Sequence, residues 1–219
     1  MEREQAARAL ADAGKWIMDK GLTWGNAGNL SMKLDEDHLL ITASGTRLNS
    51  LTDESFTVCR LSTGQHWDGK PSKELPVHVA VYRACPWAGA VVHASPPNAT
   101  LAAITGLTVR SDLFVESMYY LQRVCRIPYH HPGSADLARE VGLAAAQHNV
   151  MLLENHGTLT YDSTLAEAAM ALEILENTCR LMLLAQSAGL ALHPIPPETV
   201  EDFLLRSGYR PPRNWPERD

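Results

Sequence analysis

Two histidines of this chain follow apolar runs that are typical of buried strands: His93 ends AGAVVH, and His156 follows VMLLEN. Side chains at strand ends point into the crevice where α/β proteins bind ligands. Glu74 lies in PSKELPVHVAVYRACP, at the predicted start of a helix. Two imidazoles and a carboxylate suit a divalent transition metal with positions left open for a substrate. Because a histidine at a strand end can also be a buried structural residue, the pattern alone leaves both interpretations open.

Three polar clusters have the composition of anion-binding turns. They are Gly28-Asn29-Leu30-Ser31, Thr42-Ala43-Ser44-Gly45 and Pro71-Ser72-Lys73-Glu74. The third cluster adds the positive charge of Lys73 and a predicted helix N-terminus, whose free N–H groups favour an anion. Each cluster taken singly is equally typical of an ordinary turn or helix cap. Glu74 and His78 are four residues apart, so they share a helix face, where one can orient the other.

Composition limits the class of protein. The 219 residues are 45% hydrophobic and 20% charged, which predicts one domain over residues 1–219. The net charge of −6 is scattered and there is no basic stripe, so we expect no nucleic-acid partner. The charged N-terminal segment has no apolar stretch near the ~18 residues of a membrane span, so we expect no membrane partner. The four cysteines form no CxxC pair, which favours reduced thiols and a cytoplasmic location.

Hydrophobic periodicity predicts the elements that must position these residues. A helix over 3–20 is followed by three short antiparallel strands in LSMKL, HLLITAS and SFTVCRL. Strands and helices then alternate, while residues 107–128 show no clear pattern. The elements predicted there are a helix over 74–84, a strand over 88–93, a helix from Pro96, a helix from Ser134, a strand over 150–156, a long helix capped by Ser163 and a last helix over 198–208. This order predicts a mixed sheet layered between helices.

Taken together, these segments resemble the class II aldolase/adducin family of sugar-phosphate aldolases, epimerases and decarboxylases. The resemblance runs from the first helix to at least residue 190. It rests on GNAGNLSMK, ITASG, PSKELPVHVAVYRA, VVHASPPNAT and LLENHG. It implies an α/β fold with three α/β/α layers and a mixed, largely antiparallel central sheet. It also implies a homotetramer with active sites at the subunit interfaces.

The resemblance also implies a role for each candidate residue. The residues expected to hold the substrate phosphate are Asn29, Ser44, Gly45 and Ser72, with Lys73 as a further anion ligand. Glu74 would be the catalytic acid/base, and His93 and His156 would bind a divalent metal, with Zn²⁺ expected and Mn²⁺ or Co²⁺ as alternatives. The second acid/base would be a tyrosine, with Tyr209 and Tyr120 as the candidates chosen and Tyr119 beside them.

The implied activity is a metal-dependent, aldolase-type lyase that cleaves a C–C bond in a small phosphorylated sugar or sugar acid. Such cleavage passes through an enediolate, which decarboxylation and 4-epimerisation share, so both remain alternatives. A non-catalytic, adducin-like binding domain is the other alternative.

One residue departs from the family pattern. Where the family has two histidines separated by one residue, this chain has His93-Ala94-Ser95. A serine hydroxyl is a poor neutral ligand for zinc, so Ser95 either weakens metal binding or abolishes it. We expect Glu74 to complete the metal site in its place. His130 and His131 are the less favoured donors.

Overall fold

One sheet of eight strands runs through the middle of the molecule. The structure is a computed structural model, and it describes residues 1–213 and Trp215. Its helices are α1 (Arg3–Asp19), α2 (Leu75–Ala84), α3 (Pro97–Thr105), α4 (Val115–Tyr120), α5 (Ala135–Ala145), α6 (Leu165–Ser187) and α7 (Pro197–Arg206). Its strands are β1 (Asn29–Lys33), β2 (His38–Thr42), β3 (Phe56–Arg60), β4 (His66–Trp67), β5 (Ala90–Ala94), β6 (Val124–Ile127), β7 (Val150–Leu153) and β8 (Gly157–Asp162).

The strand order is β4-β3-β2-β1-β5-β8-β7-β6. Strands β6 and β7 run parallel, and the other six neighbouring pairs are antiparallel. The predicted mixed, largely antiparallel sheet is therefore confirmed, as is the predicted meander of β1, β2 and β3. The antiparallel pairing of β1 with β5 and of β5 with β8 places β5, which carries His93, between two other strands.

Helices cover both faces of this sheet because its strands alternate side chains between the two faces. On one face, α2 and α5 pack on the sheet through a core that includes Val77, Val81, Val141, Ile41, Val91 and Leu153. On the other face, α1 and the start of α6 pack through Leu10, Ile17, Leu30, Val92, Leu165 and Leu172. Helices α3 and α4 extend that layer with the rest of α6. The three-layer α/β/α arrangement is thus present. No helix in the described part of the chain is long and apolar enough to cross a membrane.

The sequence predicts one strand over 150–156, whereas the structure has two, β7 and β8, joined by a tight turn. Strand β8 is harder to predict because buried threonines stand at alternate positions. Thr158 and Thr160 are fully buried, and their hydroxyls donate to the carbonyl oxygens of Ala94 and Ala168. With those hydrogen bonds made, the threonines can lie inside the sheet without an unsatisfied polar group.

Two predicted helix starts shift by one residue. Glu74 precedes α2 as its N-cap residue and is not its first helical residue. The cap of α6 is Thr164, whose Oγ1 accepts from Glu167 N at 3.2 Å, and not Ser163. Residues 107–128, which show no clear pattern in the sequence, contain α4 and β6. Every residue of β6 except Ile127 is only partly buried, which explains why its apolar signal is weak.

Candidate metal centre and anion pocket

Strand pairing brings Asn29 and His93 to the same end of the sheet. They lie opposite each other in the antiparallel register of β1 and β5. Gly28, just before β1, makes this approach close: a Cβ there would stand 2.8 Å from the carbonyl oxygen of His93, and the φ of Gly28 is +92°. A glycine is therefore required at position 28, where the first polar cluster meets the strand end that carries His93.

His156 reaches the same place from the turn between β7 and β8. Asn155 adopts a left-handed conformation with φ 54°, which asparagine tolerates better than most residues. Gly157 has a φ of +152°, and a Cβ there would stand 2.7 Å from Ala94 O. The turn thus rests against the end of β5, and the rings of His93 and His156 come within 4.8 Å, centroid to centroid, edge to face.

The carboxylate of Glu74 lies between the two imidazoles. Its Oε2 is 3.1 Å from His93 Nε2, and its Oε1 is 3.1 Å from His156 Nε2. Asn29 Nδ2 donates a further hydrogen bond to Oε2 at 2.9 Å. Glu74 and His93 are buried and His156 is largely buried. One nitrogen from each imidazole and one carboxylate oxygen lie within 4.8 Å of one another, so this cluster could hold a metal ion.

The hydrogen bond of His93 shows which of its nitrogens is free to bind a metal. Its Nδ1 is 2.8 Å from the carbonyl oxygen of Thr158, and because a carbonyl only accepts, Nδ1 carries the proton. Nε2, the other ring nitrogen, is therefore the one that can bind a metal, and burial lowers the pKa of His93 more than Glu74 raises it. For Glu74, burial raises the pKa, but the interactions with His93, His156 and Asn29 outweigh burial. The pKa of Glu74 therefore lies well below its usual value.

His93 Nε2 and Glu74 Oε2 therefore face each other across 3.1 Å, where a cation could bind both. The donor set also fits, since imidazole nitrogen and carboxylate oxygen are both common zinc ligands. The carbonyl of Thr158 supplies the second hydrogen bond that orients a metal-binding histidine. His156 lacks that support, because its buried Nδ1 has no hydrogen-bond partner among the described residues.

This cluster forms one side of a pocket of about 380 Å³. The pocket brings together the residues that the sequence singled out for phosphate, metal and proton transfer, with the exception of the tyrosines. Those lining it are Asn29, Ser44, Gly45, Ser72, Lys73, Glu74, His93 and His156. Ser95 lines it as well. The three polar clusters and the two histidine segments, distant in the chain, therefore meet around a single cavity.

The anion ligands offered by the turns are mainly hydroxyl groups. The N–H of Ser44 donates to Lys70 O, and the N–H of Ser72 donates to Thr42 O. Ser72 Oγ accepts from Glu74 N at 3.2 Å and keeps its own proton to donate. Lys73 is exposed at the pocket's edge. Phosphate binding by this set stays a prediction.

The sequence interpretation of the α2 N-terminus was wrong, because this end of the helix does not present free N–H groups. Leu75 N donates to Ser72 O, Pro76 has no N–H, and Val77 N donates to Glu74 O. Asn29 also differs from its expected role, since its side chain is bound to Glu74 and to His78, with His78 Nε2 2.6 Å from Asn29 Oδ1. Within this chain, its amide serves the carboxylate.

The two tyrosines chosen as catalytic residues lie elsewhere. Tyr120 is buried against α6 in a separate hydrophobic cluster, and its hydroxyl accepts a hydrogen bond from Arg210 at 3.1 Å. Tyr209 is 39% exposed and its ring packs against those of Phe203 and Tyr119. Among the described residues, no tyrosine lines the pocket. A catalytic role for Tyr120 gains no support from this arrangement, and one for Tyr209 requires a second subunit.

The remaining candidate metal donors are not part of the cluster. His131 is exposed and pairs with Tyr129 through Nδ1 at 3.2 Å, and neither it nor His130 joins the three clustered ligands. Ser95 is buried, and its Oγ donates to His156 O at 3.4 Å. The expectation that Glu74 is the third donor therefore agrees with the geometry.

Sequence analysis did not single out four residues of the pocket wall: Asn26, Ala27, Thr46 and Pro132. Asn26 and Thr46 adjoin the first two polar clusters, so the turns could have been extended to include them. Pro132 gives no local signal. The next residue, Gly133, has a φ of +74°, and a Cβ there would stand 2.4 Å from Lys73 O. This close contact with a segment distant in the chain brings Pro132 to the pocket.

The fold and the site define an α/β protein with a polar pocket that includes a cluster able to hold a metal ion. The model of the Class II Aldolase and Adducin N-terminal domain matches residues 8–183, and the chain belongs to this family.

Among its relatives, a 3-oxo-tetronate 4-phosphate decarboxylase of Haemophilus influenzae is 34% identical over 181 residues, which is 81% of this chain and 86% of that protein. An L-fuculose phosphate aldolase of Methanococcus vannielii is 32% identical over 166 residues, or 75% and 88%. The crystal structure of YgbL from Klebsiella pneumoniae superposes with a TM-score of 0.83 at 30% identity, covering 93% of this chain and 99% of that one.

Proposed function

We propose that this protein is a metal-dependent carbon–carbon lyase that decarboxylates a phosphorylated 3-oxo sugar acid. The observation that carries the proposal is the position of Glu74 between His93 and His156 in a pocket whose other wall is formed by serine-rich turns. The similarity to 3-oxo-tetronate 4-phosphate decarboxylases over more than four fifths of the chain supports this choice of reaction. Decarboxylation was an alternative in the sequence analysis, and it now takes precedence over aldol cleavage.

His93, His156 and Glu74 would hold the metal, and Zn²⁺ is the proposed ion because two imidazoles and a carboxylate form a common catalytic zinc set. Bound there, it would polarise a substrate carbonyl and stabilise negative charge on its oxygen. The hydroxyls of Ser44 and Ser72 would bind the phosphate. Lys73, at the pocket's edge, would neutralise part of the charge of a substrate that carries both a phosphate and a carboxylate.

The remaining chemistry requires a proton at carbon. Loss of carbon dioxide from a 3-oxo acid leaves its electron pair in an enediolate, and protonation of the carbon completes the reaction. Glu74 is the carboxylate in the pocket that can carry this proton. The pKa of Glu74 in the free protein lies well below its usual value, so the carboxylate would first take up a proton from water and then deliver it to the carbon.

Aldol cleavage of a ketose phosphate is the second candidate, supported by the 32% identity to an L-fuculose phosphate aldolase. It leaves the same kind of enediolate, so the cluster suits both reactions. A non-catalytic binding domain is less well supported. The main argument for such a domain is Ser95, which stands where the family resemblance leads us to expect a third imidazole. However, Glu74 offers a third donor atom close to the two histidines.

The deciding experiment is a substrate panel with the zinc-loaded protein. We expect carbon dioxide release from 3-oxo-tetronate 4-phosphate and a much lower rate with L-fuculose 1-phosphate. Glu74→Gln should abolish turnover, whereas Glu173→Gln, the same change at a salt bridge with Lys20 on the surface, should leave it unchanged. Cleavage of L-fuculose 1-phosphate alone would support aldol cleavage as the function. A zinc-loaded protein that acts on neither substrate would refute both the decarboxylase and the aldolase proposals.

We also propose that the chain works as a homotetramer in which Tyr209 reaches the pocket of a neighbouring subunit. Tyr209 is partly exposed and lies away from the pocket of its own chain. A surface groove between α1 and α6 offers an apolar face for such an assembly. It is lined by Ala9, Asp12, Ala13, Trp16, Leu165, Ala166, Ala169 and Met170, of which Asp12 alone is charged.

A further inference from the structure

A chain of buried hydrogen bonds runs from Tyr82 to the Glu74 carboxylate. Tyr82 OH lies 2.9 Å from Ser31 Oγ, and Ser31 Oγ lies 2.7 Å from His78 Nδ1. On the other side of its ring, His78 Nε2 lies 2.6 Å from Asn29 Oδ1. Asn29 Nδ2 then donates to Glu74 Oε2 at 2.9 Å. His78, predicted from the sequence to share a helix face with Glu74, is therefore connected to its carboxylate through Asn29.

The orientation of the Asn29 amide sets the direction of every bond in this chain. Its Nδ2 donates to Glu74, so its oxygen faces His78. His78 must then carry its proton on Nε2, which leaves Nδ1 to accept from Ser31. The Ser31 oxygen in turn accepts from Tyr82, whose own oxygen accepts a backbone hydrogen bond from Val91. Each donor points toward Glu74, and flipping any member places two acceptors or two donors face to face.

Burial makes this direction costly to reverse. His78 and Ser31 are fully buried and Tyr82 nearly so, and none of the three lines the pocket, so water is not placed to replace a partner lost from them. A buried polar group without a partner costs about 1–3 kcal/mol. Simple packing would not require this arrangement, because an apolar residue could fill the place of His78 without creating a directed chain that ends on a catalytic carboxylate.

We propose that His78 is a positioning residue: by holding the Asn29 amide toward Glu74, it fixes the carboxylate in the orientation that spans His93 and His156. Its influence should appear in metal affinity and in turnover, while substrate binding at the serine turns should be spared. The prediction for turnover rests on the proposed function. The predictions for the tautomer of His78 and for metal affinity do not.

The first test is the tautomer of His78 in the metal-free wild-type protein, measured by two-bond ¹H–¹⁵N correlation NMR at neutral pH. The relay requires a proton on Nε2 and a bare Nδ1. Assignment of the resonances uses the loss of one imidazole spin system in His78→Gln. An Nδ1-protonated ring would overturn the proposal, because Nε2 could then no longer donate to Asn29.

The second test is the affinity for Co²⁺, titrated in competition with a chelator and followed by visible absorption. His78→Leu removes both hydrogen bonds, and we expect a rise in the dissociation constant of about 10- to 100-fold, as is usual when support for a ligand is lost. His78→Gln retains a donor near the Nε2 position and should recover most of the affinity. The control is Tyr161→Phe, another buried side chain that loses its hydrogen bonds, outside the relay, and its affinity should match the wild type.

A third variant separates positioning from general damage to the fold. Asn29→Ala breaks the relay one step closer to Glu74, and the double variant with His78→Leu should bind Co²⁺ no more weakly than Asn29→Ala alone. Additive losses would mean that the two residues act independently, which would refute the relay.

With 3-oxo-tetronate 4-phosphate, His78→Leu should lower kcat at least about tenfold and change KM less than about threefold. A large change in KM with little change in kcat would also contradict the positioning role of His78. A wild-type protein inactive on this substrate would refute the proposed function, while the NMR and Co²⁺ measurements would still decide the role of His78.

Discussion

Ser95 lies directly against Gly157: a Cβ on Gly157 would stand 2.9 Å from Ser95 Oγ. The same hydroxyl donates to the His156 carbonyl. Ser95, at the position where the family resemblance leads us to expect a second histidine, is thus in contact with the turn that carries His156, and it lines the pocket. From there a longer side chain could extend toward the metal cluster.

Replacing Ser95 by histidine should therefore strengthen the metal site. We expect Ser95→His to tighten Zn²⁺ binding by about tenfold or more, because an imidazole is a far better zinc ligand than a neutral hydroxyl. The measurement is a competitive titration with a chromophoric chelator, with Ser95→Asn as a control of similar polarity. Unchanged affinity in the histidine variant would show that position 95 does not face the metal.

His156 should be indispensable for metal binding. In His156→Ala only His93 and Glu74 remain of the cluster, too few for a catalytic zinc site, which typically has three protein ligands. Elemental analysis after dialysis against zinc should find stoichiometric metal in the wild type and in His131→Ala, the exposed control, but little in His156→Ala. Full occupancy of the His156 variant would contradict the proposed ligand set.

Gly157 should be required for both stability and metal affinity. Gly157→Ala combines an unfavourable φ of +152° with a contact of 2.7 Å between Cβ and the Ala94 carbonyl, and the strain alone costs about 1–3 kcal/mol. Gly64→Ala is the control, because its φ of +72° is also unfavourable but nothing lies within 4 Å of its Cβ. Urea unfolding should show the larger loss at Gly157, together with weaker zinc binding as His156 shifts. Equal losses would mean that the backbone contact relaxes freely.

Local patterns were enough to predict much of the pocket. Strand ends, glycine turns and a helix start are read from short segments, and these supplied His93, Ser44 and Glu74. The partner of Asn29 could not be predicted, because its contact with His78 depends on how β1 packs beneath α2. Strand β8 was missed for a similar reason, since the burial of Thr158 and Thr160 depends on carbonyl acceptors in β5 and α6.

The anion site should respond to charge at Ser72. Inorganic phosphate at a hundredfold excess over its dissociation constant should stabilise the wild type by ~2.7 kcal/mol, seen as a rise in melting temperature. Ser72→Asp should remove this rise through like-charge repulsion beside the pocket. Ser50→Asp, the same change at an exposed position outside the pocket, should keep it. Equal phosphate stabilisation of the Ser72 variant and the wild type would argue against this site.

Complementation between subunits tests the proposed role of Tyr209. If Tyr209 of one chain serves Glu74 of the next, then Glu74→Gln and Tyr209→Phe tetramers should each be nearly inactive, since an amide cannot carry the proton and phenylalanine has no hydroxyl. After subunit exchange, mixed tetramers contain some sites with both residues intact, and decarboxylase activity should return. Exchange is confirmed independently by mass spectrometry of differently labelled subunits. Exchange without any recovered activity would place the second acid/base group elsewhere, and a Tyr209→Phe protein with wild-type kcat would remove Tyr209 from the mechanism.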